Sequence, residues 1–245
     1  MARYTAHAFV VGVHNWGEAD KIVQLFTAER GRIKAAAFGC RRPKSALAAS
    51  LQMFNEIEVE LTEGQRLDTV RTASIVHHPR KLAEDLMTMA YGSFVAECVT
   101  EFLTEKQSEP AVYDVLHGVF AAFETRNPRV TALVAAFQLM EFTGLQLSYT
   151  RCTHCGKRIE GDAYFLTAAG GALCTDCCAS ERQEALPYPA HVRAFIASAL
   201  AFDWKEQASF VITKQDLLAA EGILIGYLHQ LLGHPLKSLA FIQKL

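Results

Sequence analysis

Near residue 80 the hydrophobic pattern of this 245-residue chain changes period, and that change limits the fold more than any other feature. Before it, apolar and polar residues alternate. In "MFNEIEVEL" (53–61), Ile57, Val59 and Leu61 fall on one face and Glu56, Glu58 and Glu60 on the other, the period of two that a half-buried strand requires. "RLDTVRTASIV" (66–76) follows after a turn at Gly64, and "YTAHAFVVGV" (4–13), "KIVQLFTA" (21–28) and "RIKAAAF" (32–38) come earlier. Five short strands have edges to protect, and a small closed or half-closed barrel is the compact way to protect them.

Beyond residue 80 the apolar residues recur at helical spacing. "KLAEDLMTMAYGSFVAECVTEFLTEK" (81–106), "EPAVYDVLHGVFAAFE" (109–124) and "PRVTALVAAFQLMEFTGL" (128–145) read as helices. Pro128 stands where a first helical turn tolerates it, and Gly144 is a plausible stop. Helical patterns return over 187–202 and 214–232. The expected architecture is α+β and multidomain: a five-stranded barrel over 1–80 and a helical bundle in two parts, 81–149 and 183–245. The two parts of the bundle flank an insertion over 150–182.

The insertion carries cysteines at metal-ligand spacing. "CTHC" (152–155) and "CTDCC" (174–178) give C-x2-C-x18-C-x2-C through Cys152, Cys155, Cys174 and Cys177. Each pair offers two thiolates from one tight turn, and tetrahedral Zn²⁺ takes four such ligands, so one structural zinc is expected. A redox dithiol and an iron–sulfur cluster are the other readings. Cys178 and His154 are spare ligands that could replace one of the four. Four thiolates leave no open coordination position, so the ion would fold the insertion and perform no chemistry. The apolar runs, such as "ALVAAFQLM" (132–140), fall short of the roughly 20 residues a bilayer demands, and the N-terminal stretch reads as a strand rather than a signal peptide. A cytoplasmic protein without membrane association is expected. No P-loop, GxSxG or HExxH motif occurs in the sequence, which points away from an enzyme.

Charge is unevenly spread. Through residue 80, 11 Lys and Arg face 8 Asp and Glu, a net of +3, whereas the rest of the chain carries a net of −5. The excess concentrates in "GRIKAAAFGCRRPKS" (31–45), where Arg32, Lys34, Arg41, Arg42 and Lys44 occur with no acid. A cationic strand running into a cationic loop on a small barrel is how such barrels follow a phosphate backbone, with affinity that falls steeply with salt and little sequence preference. Trp16 and Phe38 are able to stack on bases, but packing is the expectation for both. A zinc-ribbon transcription or translation factor that reads one duplex site is the rival reading.

"GEADKIVQLFTAERGRIKAAAFGCRRPKS", the segment "RCTHCG…GGALCTDCC" and the ending "LGHPLKSLAFIQKL" together resemble the bacterial recombination-mediator family RecO, over nearly the whole length. Cys40 departs from the family pattern, which has a small non-thiol residue there. The resemblance implies an N-terminal OB-fold and a helical domain bearing a zinc-finger-like insertion. It implies binding to single- and double-stranded DNA, annealing of complementary strands, and interaction with RecR and with the C-terminal tail of single-stranded-DNA-binding protein (SSB). With RecR, and often RecF, such proteins help RecA load on SSB-coated DNA in gap repair, and the expected location is the cytoplasm at the nucleoid.

Overall fold

The computed structural model describes residues 2–145, 147–180, 184–205 and 210–245. Strands β1 (Arg3–Trp16), β2 (Asp20–Thr27) and β3 (Gly31–Ala37) lead through a short helix α1 (Leu47–Ser50) to β4 (Glu56–Thr62) and β5 (Asp68–His77). They close a barrel in the order β1-β2-β3-β5-β4, antiparallel except where β3 meets β5 at Ala35–Asp68 and Ala36–Thr69. This is the OB-fold arrangement. Its interior is packed by Ala6, Ala8, Val10, Val23, Leu25, Ala35, Ile57, Val59 and Leu61, all essentially inaccessible to solvent. The alternation in "EIEVEL" thus places its apolar row inward, but Glu56 is buried as well. It accepts a hydrogen bond from Tyr113 Oη (3.2 Å) and lies 3.9 Å from His117 Nε2, both on a helix packed outside the barrel. A period-two pattern cannot see such a neighbour.

A β-bulge sets what the outer wall displays. Between β1 and β2 the register slips at Val11, so Val10 pairs with Leu25, Gly12 with Gln24 and Val13 with Val23. Ala6, Ala8 and Val10 point inward before the bulge; after it Val13 takes the inner role. His14 and Trp16 are thereby turned outward, where a strict alternation would bury them. The rows on the outer face of β1, β2 and β3 run Phe9–Phe26–Arg32, Gly12–Gln24–Lys34, His14–Ile22–Ala36 and Trp16–Asp20, with Phe38 one step beyond the end of β3.

The helical domain covers the first of these rows; in the others His14, Trp16 and Phe38 are exposed, Ile22, Gln24 and Lys34 are half-buried, and Ala36 is buried. It consists of α2 (Arg80–Glu84), α3 (Leu86–Phe102), α4 (Pro110–Ala122), α5 (Pro128–Phe142), α6 (Ala190–Leu200), α7 (Lys214–Leu232) and α8 (Lys237–Ile242). The pattern over 81–106 is split at Asp85, whose extended backbone and side-chain hydrogen bond to Thr88 N (2.8 Å) start α3 afresh. Phe9, Val11, Phe26 and Phe54 of the barrel join one continuous apolar cluster with the helices, and Phe120 meets Phe9 and Phe54 edge-on at 5.3 and 5.8 Å. The loop between α3 and α4 also straps the barrel: Lys106 N donates to Arg32 O (2.8 Å) and Ser108 Oγ to Ala28 O (3.1 Å).

The insertion is a three-stranded antiparallel sheet of β6 (Ala163–Leu166), β7 (Gly171–Leu173) and β8 (Leu186–Tyr188), ordered β7-β6-β8. The helical pattern over 187–202 therefore begins as a strand; Pro187 and Pro189 hold that stretch extended, and α6 starts at Ala190. No helix among the described residues is long and apolar enough to cross a membrane.

Candidate nucleic-acid interface and metal centre

Two sites are built from the stretches singled out in the sequence. In the first, β3 ends at Ala37 and Gly39, with φ +64°, turns the chain out of the sheet, a conformation that favours a residue without a side chain. Gly39 N donates to Asp20 Oδ1 (2.7 Å), Arg41 N to Ala19 O (2.8 Å) and Arg41 Nη1 to Gly17 O (3.0 Å). The cationic loop is thus pinned to the β1–β2 turn. Arg41, Arg42 and Lys44 are all exposed, and none is ion-paired among the described residues.

The strand cations have other surroundings. Lys34 Nζ lies 2.7 Å from Glu105 Oε1 on the α3–α4 loop, each side chain about two-fifths exposed. Hydrogen bonding to Lys34, with the nearby charges of Arg32 and Lys106, holds the Glu105 carboxyl below the usual carboxylate range. Arg32 is half-buried beneath the same loop. The five cations therefore divide into a loop group of three exposed and without ion pairs, Arg41 also donating to Gly17 O, and a strand pair beside a carboxylate that lies 71 positions further along the chain than Lys34. Cys40 is fully buried, and burial raises its thiol pKa, so its sulfur is not presented at this surface.

Trp16 and Phe38 differ from expectation. They are 45% and 56% exposed, with ring centroids 5.9 Å apart and planes tilted by 47°. They pack on each other at the surface, not in the core, because the bulge at Val11 reverses the face on which Trp16 emerges.

In the second site, Cys152, Cys155, Cys174 and Cys177 bring their sulfurs within 4.8 Å of one another, with Cys155 and Cys174 separated by 3.9 Å. Four thiolates bound about 2.3 Å from one tetrahedral ion stand at such separations. The first pair is shaped by a tight turn in which Gly156 N donates to Cys152 O (2.9 Å) and Gly156 adopts φ +72°. Thr153 N donates to Ala172 O (2.9 Å), anchoring that turn to β7 and so to the second pair. Burial disfavours the Cys152 thiolate, but N–H groups of Cys174, Cys155 and His154 aimed at its sulfur outweigh it and bring the pKa down to about 6. Hydrogen bonding to the sulfurs of Cys174 and Cys155 pushes Cys177 up to about 12. The donor set and its spacing fit a metal ion. Cys178 is buried in the apolar cluster shared with the helices, and the clustered group is the four cysteines without it or His154.

The chain matches two family models, "Recombination protein O N terminal" over residues 1–79 and "Recombination protein O C terminal" over 83–240. It is similar to the DNA repair protein RecO of Symbiobacterium thermophilum, 35% identical over 182 residues that span 72% of each chain. It is also similar to the RecO of a Nocardioides species, 29% identical over 98% of this chain and 99% of the other. The RecO of Syntrophotalea carbinolica is 27% identical over 100% and 96%. With an OB-fold barrel followed by a helical domain that a four-cysteine segment interrupts, the chain belongs to the RecO family of DNA repair and recombination proteins.

Proposed function

We propose that this protein acts as a recombination mediator that holds DNA along the uncovered outer face of its barrel. Arg41, Arg42 and Lys44 would neutralise phosphates, with Arg32 and Lys34 extending the track along β3. The observation that carries this reading is the pinned loop, which displays three unpaired cations at the open end of the sheet face that OB-folds offer to oligonucleotides. Backbone contacts of this kind carry no sequence information, which favours mediation over reading one duplex site. Lowering strand–strand repulsion while leaving base edges free would promote annealing. No catalytic role is assigned.

The four cysteines would hold one structural Zn²⁺, which cross-links the two turns of the insertion. As the family implies, RecR, RecF and SSB would be partners in loading RecA on SSB-coated single strands. For the SSB tail we favour a cavity of about 360 Å³ in the helical domain, lined by Met87, Tyr91, Phe94 and Leu133, with Arg129 and Glu221 also in its wall. Arg129 spends Nε and Nη2 on Glu221, so a tail carboxylate would compete with Glu221 for the guanidinium. Glu221→Gln should then tighten tail binding severalfold.

The test is a strand-annealing assay with and without SSB at two salt concentrations. Acceleration of annealing that survives SSB coating and weakens at high salt is the expected result. Tight binding to one duplex sequence with no annealing would favour the transcription-factor reading.

A further inference from the structure

The outer face of the barrel ends in a feature that phosphate binding does not need. Trp16 and Phe38 form a small apolar island with Asp20 between them in their row and His14, Ile22 and Ala36 in the next; beyond these lie Gln24, whose Nε2 is 3.3 Å from that of His14, and Lys34. Across the turn lie Arg41 and Arg42. Leaving two large aromatic rings about half exposed forfeits burial, and each would sit comfortably against a core. Their tilt of 47° leaves them neither stacked face to face nor edge-on, and about half of each residue is open to solvent. The strand pairing that follows the Val11 bulge fixes Trp16, and Gly39 N on Asp20 fixes the chain next to Phe38, so the pair is held in place before any ligand arrives.

We propose that Trp16 and Phe38 form a stacking platform for unpaired bases, so that this face grips a single strand by its bases as well as its phosphates. This rests on the reading of the adjacent loop as the phosphate contact. The setting selects the occupant. Asp20, between the two rings in their row, is engaged by Gly39 N, and the cations nearest the island are Arg41 and Arg42 across the turn. A flat base on the rings with its phosphate toward that loop therefore fits, whereas an apolar helix needs a broader surface. Bases within a duplex are already stacked, and their faces are closed to such a platform. The pair therefore supplies a preference for single strands that the loop cations alone do not.

The experiment compares three DNA probes of equal length: a single strand of thymidines, the same sugar-phosphate chain lacking bases, and a blunt duplex. Trp204 is the second tryptophan, half-buried and bonded through Nε1 to Gln138 (2.6 Å), so Trp204→Phe leaves Trp16 as the sole reporter. The thymidine strand should quench Trp16 emission by about half or more, and the base-free strand should bind without quenching. In the otherwise native chain, a variant carrying Trp16→Ala and Phe38→Ala should lose about tenfold or more in affinity for the thymidine strand. Its affinity for the base-free strand and its salt dependence should stay within twofold of native. This second arm does not depend on Trp204→Phe folding. Equal affinity of native protein for the thymidine and base-free strands, with Trp16 emission unmoved, would overturn the platform while leaving the cationic loop intact. Failure of native protein to bind any of the three at low salt would overturn both.

Discussion

The barrel closes on its own residues, with Ala6, Leu25, Ile57, Val59 and Leu61 sealing an interior apart from the rest of the molecule. The cysteine segment has no such interior. Its buried side chains, among them Ile159, Phe165, Leu173 and Cys178, belong to the cluster that runs through the helical domain, and its strands are three or four residues long. One region is stabilised by what it encloses, the other by what it leans on and, in the reading proposed above, by an ion held between two turns. A closed barrel can therefore carry unpaired charge and exposed aromatics on its wall at little cost to stability. The insertion has no equivalent reserve.

Removing the metal should have the largest effect and should stay local. Structural zinc sites are worth about 10–16 kcal/mol at neutral pH, so Cys152→Ser with Cys174→Ser should abolish zinc binding and open the 150–180 segment to protease. Metal analysis and limited proteolysis measure this, and DNA affinity should remain within twofold of native. A collapse of DNA binding would break the comparison by making the two regions one unit. Cutting into the barrel interior is the converse. Leu25→Ala should cost about 2–5 kcal/mol in denaturant unfolding and leave zinc stoichiometry at one.

On the barrel wall, replacing Arg41, Arg42 and Lys44 with alanine should slow annealing while leaving the unfolding midpoint unchanged. The smallest effect concerns Lys34. Its exposed pair with Glu105 is worth no more than about 1 kcal/mol, so Glu105→Gln should raise low-salt DNA affinity by about fivefold or less. Acid should mimic it. Because the folded Glu105 carboxyl is held below its ordinary range, the pair contributes above the unfolded carboxylate pKa and is lost only as pH falls through the depressed folded value. Small pH changes near neutrality should therefore leave DNA affinity unchanged through this pair.

The cysteine cluster was legible in the chain because both halves are local: each pair is made by one turn, and the hairpin between them by the eighteen intervening residues. The inner faces of the barrel strands were legible for the same reason, a period carried by neighbours. What escaped depends on distant or irregular features. Lys34 meets Glu105, and Glu56 meets Tyr113 and His117, across pairings that no window of sequence spans. One extra residue at Val11 moves Trp16 from an expected packed position to the surface. Prolines at 187 and 189 turn the start of a helical pattern into the third strand of the insertion sheet.

The measurement that bears most directly on the account is the salt dependence of single-strand affinity for native protein and for the variant with alanine at 41, 42 and 44. Each phosphate contact on a single strand contributes about 0.7 to the slope of log affinity against log salt. Loss of three contacts should therefore flatten that slope by about 2 and weaken low-salt binding. An unchanged slope with native affinity would contradict the assignment of DNA to this face of the barrel.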